Sequence, residues 1–90
     1  MVKLIEVVKD KNSFTLREVF VNPIHVISLR SDEFMKRHLR EGKLPEELDH
    51  HHEFTKLTLD KGTTGQELVV VGNPPLVESK LNGGKKLLHG

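Results

Sequence analysis

The chain has no cysteine, no tryptophan and no tyrosine, and only four phenylalanines in 90 residues. Without cysteine there is neither a disulfide nor a thiol nucleophile, which fits a reducing compartment. So few rings leave little from which to build a stacking platform for nucleic-acid bases. No apolar run approaches the roughly 20 residues of a membrane span, and no secretory signal pattern opens the chain. One-signed charge is lacking too: 14 basic against 13 acidic residues leave a net +1. A domain that grips nucleic acid by its phosphates is usually far more basic. Neither nucleic acid nor membrane is therefore an expected partner, and a cytoplasmic setting is expected. The GxxxxGK[ST] and HExxH patterns are absent, as is a serine in a nucleophile-elbow context. The composition suits a binding protein better than an enzyme, and no cofactor is expected.

What is present is organised around Phe54–Gly72, FTKLTLDKGTTGQELVVVG. Phe54, Lys56 and Thr58 alternate with Thr55, Leu57 and Leu59, the period-2 pattern of a half-buried strand. Asp60–Gly65 is turn chemistry, with two glycines able to take positive φ. Gln66–Val71 returns as a strand, and the apolar run Leu68–Val71 predicts a central strand covered on both faces. Asn73 then suits a helix N-cap and Pro74 the first helical position. Leu76, Val77 and Leu81 form the expected buried stripe, and Gly83-Gly84 the stop.

The N-terminal part reads as a hairpin, Val2–Val8 and Phe14–Val21 about the polar turn Lys9–Ser13. Phe14, Leu16 and Phe20 share a face with Glu18 among them. Asn22-Pro23 breaks the second strand, because the residue before proline avoids helix and proline lacks a donor. His25–Arg30 is a third strand, with His25, Ile27 and Leu29 pointing one way. The expected fold is α+β: a small, twisted, mainly antiparallel sheet of about five strands with a C-terminal helix. One domain spans 1–90, with a core of 1–30 and 54–81 and a tail at 82–90.

Between strands three and four stands Ser31–Glu53, SDEFMKRHLREGKLPEELDHHHE. Ser31 or Asp32 caps a short helix whose acids lie early and whose bases lie late, as the macrodipole prefers. Phe34, Met35, His38 and Leu39 form its less polar stripe, Gly42 ends it, and Pro45–Leu48 starts a further turn. Four basic and seven acidic residues make the segment net −3, against +2 for each flanking part. A hairpin would close with a few residues, so this excursion reads as a helical insert projecting from one edge, and as functional.

VNPIHVISLR, the threonine-containing strand FTKLTL, a glycine turn, VVVG and PPLVESKL together resemble a pattern of short phage-type accessory proteins of unassigned function. The order is more distantly similar to the small flagellar FlbD-like family. The resemblance covers Met1–Arg30 and Phe54–Leu81. Ser31–Glu53 departs from the flagellar pattern, and no functional residue is carried over. The phage-type resemblance implies an anti-defence role in the host cytoplasm, exerted by sequestering a nucleotide-type signal.

Among candidate sites, Arg17, Arg30, Arg37 and Arg40 offer forks for phosphate or carboxylate. Phe34 and His38 lie near three of them in sequence. The candidate ligand site is Arg30, Arg37, Arg40, His38 and Phe34. The bland alternative pairs these arginines with the acids of the segment. His50 and His52 would project to one side if extended and are a weak metal alternative; otherwise His50–His52 is a polar hinge. The turn VVVGNPP could present backbone N–H groups to a phosphate, although Pro74 and Pro75 remove two donors. Glu6 and Glu18 could form a carboxylate pair. The leading expectation is a non-enzymatic homo-oligomer that holds a small anionic, nucleotide-like ligand between subunits, with the Phe34, Met35 and Leu39 stripe packed on another copy. The alternative is an interaction module docking on a host protein through the helical segment.

Overall fold

The computed structural model describes residues 1–60 and 65–83. The turn at 61–64, Gly84 and most of the expected tail lie outside the described residues.

β1 (Val2–Asp10) and β2 (Ser13–Val21) form a hairpin in unbroken antiparallel register from Val2↔Val21 to Asp10↔Ser13. The turn is tighter than the sequence suggests. Only Lys11 and Asn12 separate the strands, and Lys11 takes φ 57° to close it. β3 (Val26–Ser31) follows one turn of 3-10 helix at Pro23–His25, capped by the Asn22 side chain, which accepts from the Ile24 N–H at 3.2 Å. β4 (Phe54–Leu59) and β5 (Gln66–Val71) pair from Phe54↔Val71 to Leu59↔Gln66. The sheet order is β2-β1-β5-β4-β3, with every neighbouring pair antiparallel, so the fold is α+β with a five-stranded antiparallel sheet.

β5 occupies the centre, and its two faces feed two separate cores. Leu68 and Val70 pack with Leu4, Val21, Leu57 and Val77. Val69 and Val71 pack on the other face, against a core of Val7, Leu39, Leu44 and Phe54. Helix α2 (Pro74–Leu81) covers the first. Asn73 caps it, accepting from the Leu76 N–H at 2.9 Å. Gly72 permits the sharp entry: at φ 120° a Cβ there would meet Leu76 and Val77 side-chain atoms at 3.3 Å. Val77, buried, and Leu81, partly buried and four positions on, form the packed row, whereas Leu76 is turned outward and 48% exposed. One residue of helix rotates a side chain by about 100°, so Leu76 and Val77 cannot both point at the sheet.

Helix α1 (Glu33–Arg40) and the residues after it cover the second face. Asp32 is the cap, accepting from the Met35 N–H at 3.0 Å, and its own N–H donates to the Phe54 carbonyl at 2.9 Å. Gly42, at φ 74°, ends the helix: its N–H reaches the Leu39 carbonyl and that of Lys43 the His38 carbonyl, a Schellman closure. Leu39 and Leu44 are buried with Val7 and Phe54, and Met35 and Leu48 pack beside them. The segment therefore does not project from an edge. Burial of apolar side chains this size stabilises by about 1.5–3 kcal/mol each, and the face of Val69 and Val71 would otherwise meet water. Two further expectations need correction. Phe34 is not in the packed stripe; it is 70% exposed. Along β3, register shifts between Val26 and Ser28, so Val26 and Leu29 join the α2-side core and Ile27 is left exposed. A bulge breaks strict alternation.

Among the described residues, no helix is long and apolar enough to cross a membrane.

Leu39→Ala should lower the unfolding free energy by about 2–4 kcal/mol. Phe34→Ala should change it by less than about 0.5 kcal/mol. Urea melts followed by circular dichroism measure both; equal effects would contradict the assignment of the buried side of α1.

Candidate functional site

The β3–β4 register places Arg30 directly opposite Lys56. Facing residues of an antiparallel pair share one side of the sheet, and like charges there repel. Neither has a carboxylate partner among the described residues. The two cations lie in a groove of about 270 Å³ lined also by Ser31, Asp32, Glu33 and Phe34. Two acids are therefore present, both with other partners. Asp32 is buried and caps α1, and Glu33 accepts from the Ser31 hydroxyl at 2.8 Å. Phe34 stands exposed beside the cations, with the Arg37 guanidinium 5.5 Å from its ring centre.

The five expected site residues do not form one cluster. Arg30 and Phe34 share the groove, and Arg37 joins through the Phe34 ring. Arg40 lies in a neighbouring hollow of about 120 Å³ with Lys36 and Glu53. His38 turns away from both. Its ring lies 5.1 Å from that of Phe14 on β2, and its Nδ1 is buried with no hydrogen bond, 3.9 Å from Glu41. Three positions after Met35, it shares the packed side of the helix and is carried toward the sheet. Lys56 is the residue that sequence reading misses. Its signal is pairing: once VISLRS is laid antiparallel on FTKLTL, the one lysine of β4 meets the one arginine of β3.

The remaining candidates resolve as structure. His50–His52 is a turn and is not extended. The His51 N–H donates to Asp49 Oδ1 at 2.8 Å, the Asp49 N–H to His52 Nδ1 at 3.1 Å, and the His50 and His51 rings lie 4.3 Å apart, tilted by 36°. Lys36 Nζ donates to the His50 and His52 carbonyls at 2.9 and 2.6 Å, fastening this turn to α1. Among the described residues, no group of three or more histidine, aspartate or glutamate side chains is placed to hold a metal ion. At the VVVGNPP turn the Gly72 N–H donates to the Glu53 carbonyl, and the Leu76 and Val77 N–H groups to Asn73. Those donors are already paired within the chain. Glu6 and Glu18 lie on opposite faces of the sheet: Glu6 pairs with Arg17 at 3.2 Å and Glu18 with Lys3 at 3.4 Å.

Four of the seven acids of 31–53, Asp32, Glu33, Glu41 and Asp49, are engaged locally. The hydrogen bond and charge of Lys43 hold the Glu41 carboxyl below its usual range. The His51 backbone N–H, then the neighbouring His52 and His51 charges, lowers that of Asp49.

Compared with known families, curated proteins and solved structures, the chain matches no family model, no curated protein and no solved structure.

A lowered carboxyl pKa means that the Asp49 contribution is present above the unfolded value and lost as pH falls through the folded one. A carbon-detected NMR titration of Asp49 should have its midpoint below the ordinary aspartate value of 3.8. The His50–His52 amide shifts should move with that midpoint. A midpoint at or above the ordinary value would contradict the turn geometry.

Proposed function

We propose that this protein is a non-enzymatic binder of a small anionic ligand that carries an aromatic ring, of nucleotide type. The observation that supports this reading is the opposed pair Arg30 and Lys56, without carboxylate partners among the described residues, beside exposed Phe34. Two cations held face to face repel until an anion lies between them. Arginine forks a phosphate or carboxylate in two-point fashion, and lysine supplies a point charge. Arg37 stands over one face of Phe34, and a cation over a ring leaves the opposite face open to a stacked base. The helical segment between β3 and β4 contributes Phe34 and Arg37 to this arrangement. Sequestration fits the groove better than turnover, since Asp32 is committed to capping α1 and Glu33 to the Ser31 hydroxyl. The resemblance to phage-type accessory proteins gives the same direction, the capture of a signalling nucleotide in a host cell.

With neither tryptophan nor tyrosine in the chain, absorption by the purified protein in the nucleobase band reports a retained ligand directly. Titration with a panel of adenine and guanine mononucleotides, followed by amide NMR, should move Arg30, Phe34 and Lys56 first. Arg30→Gln and Lys56→Gln should each weaken binding by about 1.5–3 kcal/mol with the fold kept, and the nucleotide should be recovered unchanged. Shifts confined to other surfaces, or unaltered affinity in both variants, would reject this site.

A further inference from the structure

Toward the β2 end of the sheet, on the face that the segment after α1 covers, lies an apolar cleft of about 430 Å³. Ile5, Leu16 and Val71 wall it from the sheet and Leu48 from the segment after α1, with Glu18 and His52 at the rim. None of the four apolar side chains is fully buried. On the same face of β2, one alternation beyond Glu18, stands Phe20, 60% exposed. Four residues of strand separate Phe20 from Leu16, about 14 Å at the strand rise, so Phe20 stands apart from the Leu16 wall of its own cleft. The chain thus carries an aromatic knob and an apolar hole on one face, with Glu18 midway between them.

We propose that a second copy of this chain closes the cleft. The two β1–β2 faces stack about a two-fold axis passing near Glu18, and Phe20 of each copy enters the cleft of the other. A two-fold through the midpoint of knob and hole exchanges their positions, so one chain supplies both halves of a self-complementary contact. The charges agree with that axis. Glu18 is ion-paired with Lys3 at 3.4 Å, and both side chains are more than half exposed. Bringing two such pairs together sets each Glu18 between two lysines, a ring of alternating charge in place of carboxylate repulsion. A domain of this size gains proportionally more from associating than a large one. Other apolar groups are less suited: Met35 and Leu39 pack on their own sheet, and Ile27 sits at the bulge that interrupts the β3 edge. This contact lies at the β2 edge, opposite the β3 edge that carries Arg30, and is independent of the anion groove.

Sedimentation of the full chain at tens of micromolar should give a dimer. Phe20→Ser removes an exposed side chain, so circular dichroism should be unchanged while the dimer dissociation constant rises by roughly tenfold or more. The absence of native cysteine allows a second measurement. Glu18→Cys places a lone thiol near the axis and should oxidise to a disulfide-linked dimer, whereas Phe34→Cys on the other edge should not. A monomeric wild type, a dimer unaffected by Phe20→Ser, or cross-linking of Glu18→Cys no faster than that of Phe34→Cys would each overturn the proposal.

Discussion

A strand that is apolar on both sides cannot sit at the surface of a protein, and β5 is such a strand. Leu68 and Val70 need one cover, Val69 and Val71 another, and the sheet order places all four at the centre. The first cover comes cheaply in sequence, from the helix that follows β5 at once. The second must come from elsewhere, and the long connection between β3 and β4 supplies it. That requirement explains why more than twenty residues stand where a short turn would have joined two neighbouring strands. It also determines the groove. The bond from the Asp32 N–H to the Phe54 carbonyl fastens the start of α1 to the start of β4. Phe34 is thereby held beside the strand pair that carries Arg30 and Lys56.

Much of this was legible in the residues themselves. The alternation of FTKLTL, the apolar run of β5, the Asn73 cap and the Gly42 stop each act within a few positions, and each is seen where the local chemistry places it. What was hidden depends on distant partners. Leu39, Leu44 and Leu48 are embedded in a charged stretch, and nothing local marks them as the lid of Val7 and Phe54. The pairing of β1 with β5 brings together residues far apart in the chain, as Glu6↔Val70 does. At Ile27 the parity argument fails because a single extra residue reverses every side chain beyond it. The candidate site was half legible. Arg30 and Phe34 are together, but charge and aromaticity alone could not reveal that His38 faces Phe14 or that Arg40 lies in a neighbouring hollow.

The electrostatics of residues 31–53 follow the same division between local and distant partners. A segment of net −3 beside a cationic strand pair invites the reading that its acids neutralise those cations. Instead Asp32 caps a helix, Glu41 meets Lys43, and Asp49 holds a turn of three histidines. Local bonds of this kind close short loops and cost little chain entropy, so they form in preference to longer-range pairing. Arg30 and Lys56 are left facing one another.

The claim on which everything else rests is that the β3–β4 connection is half of the core and not an appendage. Native-state hydrogen exchange tests it residue by residue, because segments that open independently reveal their own free energies. If α1 is the necessary second cover of β5, the amides at the C-terminal end of α1 and those of β5 should converge on one opening free energy, the global one. Exchange from α1 at several kcal/mol less than from β5, with β5 still fully protected, would show that the sheet stands without its second cover and would contradict the claim.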